Sequence, residues 1–127
     1  MRLGFIGTGT ITAHMVRGLK ASGLADWPIV VSPRNEAVAA ELAQLPGVTV
    51  AVSNQAVVEA CDLLILSVRP QVAEAVIAPL VIPADRPILS LIAGLHIAQI
   101  AAWTGARDIA RAIPLPFVER HEGVTPV

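Results

Sequence analysis

Short, unbroken apolar runs recur along this chain, and between them the apolar positions spread out to helical spacing. Residues 3–6 predict a strand, followed by a glycine-rich turn and a helix over residues 10–22 that Gly23 closes. The run at 29–31 predicts a second strand. Val38, Leu42 and Leu45 then share one face of a helix over residues 36–45, stopped by Pro46 and Gly47. A third strand spans 48–52, after which Ser53 or Asn54 caps a short helix through residue 60. Asp62 leads into "LLILSV", residues 63–68, which fits a central parallel strand. Pro70 stands in the first turn of the next helix, which runs to residue 80. "PILSLI", residues 87–92, is the fifth strand, with Ala93 and Gly94 as its exit turn. "HIAQIAAWTG" is a helix closed by Gly105, and residues 108–113 make a sixth strand.

Strands alternating with helices imply successive right-handed crossovers. The expected architecture is an α/β, Rossmann-like, doubly wound and mainly parallel sheet of six strands with helices on both faces, one domain over residues 1–127. Composition fits that picture. The chain is 54% hydrophobic and 15% charged, which excludes a disordered class, and its 3% aromatic share leaves the core to aliphatic side chains. A net charge of -1 offers no footprint for nucleic acid or an anionic membrane. No uninterrupted apolar window approaches a membrane span and no secretory leader precedes the first strand, so a cytoplasmic protein is expected. Cys61 has no second cysteine to pair with, and reads as a small packing residue or a reactive thiol.

Chemistry enters at the first turn. "GTGTIT" supplies Gly7, Thr8, Gly9, Thr10, Ile11 and Thr12 directly after an apolar strand and at the opening of a helix. Gly7 takes the tight turn, and Gly9 lets the backbone approach a pyrophosphate lying against the helix amides. Thr12 stands where Gly or Ala is usual, so strand and helix should sit slightly further apart. An ordinary strand-to-helix turn built of small residues is the alternative.

A dinucleotide site of this kind often carries an acid at the end of the second strand, where it binds the adenine ribose hydroxyls. This chain has Ser32, Pro33, Arg34 and Asn35 there, and the next acid, Glu36, already lies in the following helix. A carboxylate would repel a 2′-phosphate. Ser32 can donate to one, Arg34 can fork onto it with charge-assisted bonds, and Asn35 adds an amide donor. The sequence thus favours NADP(H) over NAD(H), unless Ser-Pro is only a turn and Arg34 a solvated surface charge.

With these residues in hand, the chain resembles the N-terminal domain of the pyrroline-5-carboxylate reductase family. The resemblance is carried by "LGFIGTGTITAHMVRGL", "VSPRNE", "CDLLILSVRPQ", "ILSLIAGLHIAQIAAW" and "ARAIPLPFVERHEGVT", in order and at spacing over nearly the whole chain. It implies reduction of a cyclic imine by hydride transfer from NADPH, the last step of proline synthesis. It also implies that Val68, Arg69 and Pro70 line the adenosine side of the cofactor groove and that Ala93 and Gly94 approach the nicotinamide. Independently of the family, Arg69 follows the central strand, at whose carboxyl end open parallel sheets bind ligands; a charge that merely caps the strand end is the other reading.

One departure stands out. Where the family has Met-Pro-Asn-Thr-Pro, this chain has Ile113, Pro114, Leu115, Pro116 and Phe117, and Leu115 cannot replace the hydrogen bonds of the Asn. A more apolar imine or another carbonyl-like substrate is one consequence, and a cofactor-binding regulatory module or a related hydroxyacid dehydrogenase is another. Family members carry a C-terminal helical domain that completes the substrate pocket and forms the dimer. This chain is expected to lack it, to bind cofactor without turning over substrate, and to belong to a protein that forms a homo-oligomer through that domain.

His96 opens the helix after Ala93 and Gly94 and is a weak catalytic candidate for protonating a substrate nitrogen, against a role as a plain helix-start residue. His14 sits one turn into the first helix, either near the cofactor phosphates or simply half-exposed. "ERHE", residues 119–122, places a histidine between carboxylates, but adjacent residues point apart and no metal site is expected. Ser67 and Ser90 read as strand serines.

Overall fold

The computed structural model describes residues 1–22 and 26–112. Gly23, the expected helix stop, lies outside them. The strands are β1 (Leu3–Ile6), β2 (Ile29–Val31), β3 (Val48–Val50), β4 (Leu63–Leu66), β5 (Ile88–Ser90) and β6 (Ile109–Arg111). Among the described residues they form one 6-stranded sheet in the order β3-β2-β1-β4-β5-β6. Every pairing is parallel, with Leu3 opposite Ile29 on one side and Leu63 on the other. The helices are α1 (Thr10–Lys20), α2 (Glu36–Leu42), α3 (Asn54–Ala60), α4 (Ala73–Ile77) and α5 (Ile97–Thr104), and a single 3-10 turn, Pro70–Val72, precedes α4. The doubly wound α/β expectation is met.

Side chains alternate across each strand, so the sheet builds two cores. Leu3, Phe5, Ile29, Val31 and Ile65 point to one face and pack against Ala13, Val16, Ala39 and Leu42 of α1 and α2. Ile6, Val30, Leu64, Leu66 and Ile88 point to the other, against Val57, Val58, Ala73, Ile77 and Ile100 of α3, α4 and α5. Phe5, Leu42, Leu66 and Ile77 are fully buried; each such side chain contributes about 1.5–3 kcal/mol of transfer free energy. Cys61 belongs to the second core. A methyl added at Gly4 would stand 2.7 Å from its Cβ, so α3 rides directly on β1.

Most helices and strands end earlier than the apolar pattern suggests. α2 stops at Leu42, and residues 43–45 close as tight turns, with the Leu45 amide reaching back to the Leu42 carbonyl at 3.0 Å. The helix expected to run from Pro70 to residue 80 is broken into a 3-10 turn and a five-residue α4. Pro79 has no amide with which to extend α4. The expected Ser53 cap is present, its Oγ accepting the Ala56 amide at 3.1 Å. β3 ends at Val50, and Val52, 91% exposed, is outside the sheet. β4 ends at Leu66, leaving Ser67 and Val68 to the loop beyond the strand tip. Among the described residues no helix is long and apolar enough to cross a membrane.

Candidate functional site

The chain leaves β1 toward β2 and β3 on one side, and leaves β4 toward β5 and β6 on the other. Connections that diverge in this way open a crevice at the carboxyl ends of β1 and β4, the switch point where parallel sheets bind ligands. A cleft of about 300 Å³ occupies that place. Its floor is Gly7, Thr8 and Gly9; its β2 side is Ser32, Arg34 and Asn35; its β4 side is Ser67, Val68 and Arg69.

The glycine turn is tightly specified. Gly7 has φ +96 and its missing Cβ would stand 2.5 Å from the Ser67 carbonyl oxygen, so the turn lies against the end of β4 and admits only glycine. At Gly9 an added Cβ would meet nothing within 4 Å, which is the open approach that a bulky anion requires. Gly9 is the N-cap of α1 and supplies no side-chain cap, and the first turn of α1 holds no acid. Its leading amides therefore offer the positive end of the helix dipole to the cleft. Thr10 and Ile11 open that first turn. Thr12, where the sequence suggested a looser fit, is fully buried, and its Oγ1 donates to the Gly7 carbonyl at 2.5 Å.

The β2 tip corrects one expectation. Ser32 is fully buried, and its Oγ accepts the Gly7 amide at 2.9 Å while lying 3.0 Å from Thr8 Oγ1. It is engaged with the glycine turn and does not face outward as a donor. Arg34 and Asn35 are exposed at the cleft edge. Asn35 has φ 65, a left-handed conformation that Asn tolerates better than most residues, and its side chain does not cap α2. The described lining contains arginines and no carboxylate, which fits a cofactor bearing phosphates at both the turn and the adenine ribose.

Val68 and Arg69 line the cleft, whereas Pro70 is exposed at the start of the 3-10 turn and not in the lining. Ala93 and Gly94 follow β5 on the side away from the phosphate turn; both are exposed, and Gly94 has φ +74. His96 is exposed, is the N-cap residue of α5 without a side-chain cap, and borders a separate shallow depression with Ile97, Ala110 and Arg111. The described cleft does not bring His96 to the glycine turn. His14 is half-buried on α1. Leu115 and the residues 119–122 lie outside the described residues.

Asn54, Val72 and Val76 also line the cleft and escaped the sequence reading. Asn54 opens α3 just past β3, so the rule that ligands meet the carboxyl ends of strands pointed to it. Val72 and Val76 are half-buried at helical spacing, indistinguishable in sequence from core positions. Among the described residues no group of three or more His, Cys, Asp or Glu gathers as a metal site. Cys61 is buried with its Sγ 3.7 Å from the Val58 carbonyl, and burial pushes its thiol above the ordinary value against the opposing Arg86 guanidinium. That environment is a packing position, not an activated nucleophile.

Residues 2–94 match the family described as NADP oxidoreductase coenzyme F420-dependent. The chain is 35% identical over 117 residues to the pyrroline-5-carboxylate reductase of Pseudomonas aeruginosa, covering 89% of this chain and 42% of that protein. It is 28% identical to the enzyme of the same name from Pisum sativum, covering 88% and 42%. The 1-pyrroline-5-carboxylate reductase of Streptococcus pyogenes superposes with a TM-score of 0.83 at 27% identity, covering 98% of this chain and 47% of that one. The chain thus spans less than half the length of these proteins. A Plasmodium falciparum pyrroline carboxylate reductase with NADP bound, at 18% identity and a TM-score of 0.79, shares the fold.

Proposed function

This chain belongs to the NADP oxidoreductase coenzyme F420-dependent family, and we propose that it is the NADPH-binding part of a reductase of the pyrroline-5-carboxylate reductase type. The observation that carries the reading is the carboxylate-free cleft at the β1–β4 switch point, with the uncapped, acid-free start of α1 on one side and Arg34 at the β2 tip on the other. The pyrophosphate lies along Gly7, Thr8, Gly9 and the amides of Thr10 and Ile11. Arg34 forks onto the 2′-phosphate with Asn35 and Asn54 beside it. Val68, Val72 and Val76 give the adenosine an apolar wall, Arg69 closes the rim next to Pro70, and Ala93 and Gly94 approach the nicotinamide ring.

When bound, the nicotinamide supplies the hydride, and the chain's contribution is to hold and orient it. The substrate is a small cyclic imine, and the part of the pocket that encloses it is not made by the described residues. Relatives more than twice as long as the matched span support a catalytic unit larger than the part this chain shares with them. His96, exposed next to the Ala93–Gly94 turn, is the described titratable side chain best placed to give a proton to the substrate nitrogen once that pocket is complete.

Calorimetric titration with NADPH and NADH in one buffer tests the reading. NADPH should bind at least tenfold tighter, the equivalent of about 1.4 kcal/mol. Arg34→Ala should remove that preference while leaving NADH binding in place. Equal affinity of the unaltered chain for the two cofactors would reduce Arg34 to a surface charge.

A further inference from the structure

The Ser32 hydroxyl stands at the strand tip from which this fold reads the adenine ribose, and so looks like a ready donor to a 2′-phosphate. Its partners assign it elsewhere. Ser32 is 0% exposed and Thr8 4%, so both residues are buried. Thr8 Oγ1 donates to the Ser32 carbonyl at 2.7 Å, which uses its single proton. The Ser32 proton is then the one shared across the 3.0 Å contact between the two hydroxyls. The Gly7 amide donates to Ser32 Oγ at 2.9 Å, taking up an acceptor site. No donor remains for a phosphate. From the helix side, Thr12 Oγ1 donates to the Gly7 carbonyl at 2.5 Å. Both backbone polar atoms of Gly7 are therefore fixed by buried side-chain hydroxyls.

We propose that Ser32 is a positioning residue for the glycine turn and not a reader of the 2′-phosphate. Through Gly7 and Thr8 it holds in place the amides against which the pyrophosphate lies, and the pyrophosphate is common to both cofactors. Discrimination falls to Arg34, two residues further along and exposed at the cleft edge. The arrangement also accounts for the missing acid. A carboxylate in the place of the Ser32 side chain would sit buried against Thr8 Oγ1 and the Gly7 amide, a charge removed from water with no cation among those contacts.

This inference rests on the dinucleotide reading, and one experiment separates the two. The full chain and its Ser32→Ala, Thr8→Val, Thr8→Ser, Arg34→Ala and Ser32→Ala/Thr8→Val variants are titrated with NADPH and with NADH, and Tm is recorded for each. Ser32→Ala should weaken both cofactors by the same factor, about tenfold, leaving their ratio unchanged. Thr8→Val, which breaks the same contact from the other side, should do likewise, and Thr8→Ser should restore binding. The double variant should lose little more than either single one, since the two hydroxyls act as a unit. Arg34→Ala should lose NADPH affinity alone. A Ser32→Ala variant that loses NADPH and keeps NADH would overturn the inference and leave the dinucleotide reading standing. So would a lowered Tm with both affinities intact, or losses that multiply in the double variant. Failure of the unaltered chain to bind either cofactor would sink both.

Discussion

Two glycine turns sit at the carboxyl edge of the same sheet and are built on opposite terms. The turn after β1 is closed at its first glycine: Gly7 abuts the Ser67 carbonyl, and its amide and carbonyl are both taken by buried hydroxyls. The turn after β5 is open. Ala93 and Gly94 are exposed, a Cβ at Gly94 would meet nothing within 4 Å, and the following helix begins at His96 without a side-chain cap. The difference fits the roles proposed for the two ends. A pyrophosphate is recognised by backbone groups alone, so the first turn can be finished within this fold. The nicotinamide proposed for the second turn would need walls on several sides, and Ala93 and Gly94 stand exposed among the described residues.

The sharpest way to break this contrast is to put the same methyl into both turns. Gly7→Ala forces a side chain at φ +96 into a backbone oxygen 2.5 Å away, where nothing flexible can yield. A loss of about 3 kcal/mol or more in chemical denaturation, and no measurable cofactor binding, are expected. Gly94→Ala meets only the strain of φ +74, about 1 kcal/mol, and should cost correspondingly less in chemical denaturation. Comparable losses at the two positions would show that the second turn is as tightly built as the first.

The smallest expected effect lies beneath the sheet, at Cys61. Its thiol is raised by burial, so the folded form holds its proton to higher pH than the unfolded chain does. Stability from this group is whole below the ordinary thiol range and falls as pH climbs through and beyond it. Denaturation midpoints should decline above about pH 9 in the parent and less so in Cys61→Ala. Alkylation of Cys61 should be slow in the native state; rapid labelling at neutral pH would contradict a packing role.

Much of this was legible from the order of residues. Apolar runs such as residues 3–6 and 63–66 have no reason to exist except as strands covered on both faces, and the alternation with helical periods gave the winding. Gly7 was legible because only glycine meets its geometric demand, and Gly9 because it completes the glycine pattern after an apolar strand. Element ends were less so, since Leu45 and Leu80 keep the apolar period after the backbone has turned into 3-10-like closures. The partners of Ser32 were hidden for a deeper reason: a hydroxyl's chemistry is visible in sequence, but which way it faces depends on Thr8, 24 positions away. Val72 and Val76 were hidden because a cleft wall and a core use the same side chains.

The register of β1 has a consequence for how the chain is made. Leu3 pairs with Leu63 on one flank, so the central strand is synthesised first and waits for a neighbour 60 positions later. At translation rates of about 5–20 residues per second, that interval is roughly 3–12 s. During it, Phe5 and Ile6 belong to a strand with at least one edge unpaired, which leaves the nascent chain open to capture by another chain. Slowing synthesis before β4 should therefore lower soluble yield more than the same pause placed after it.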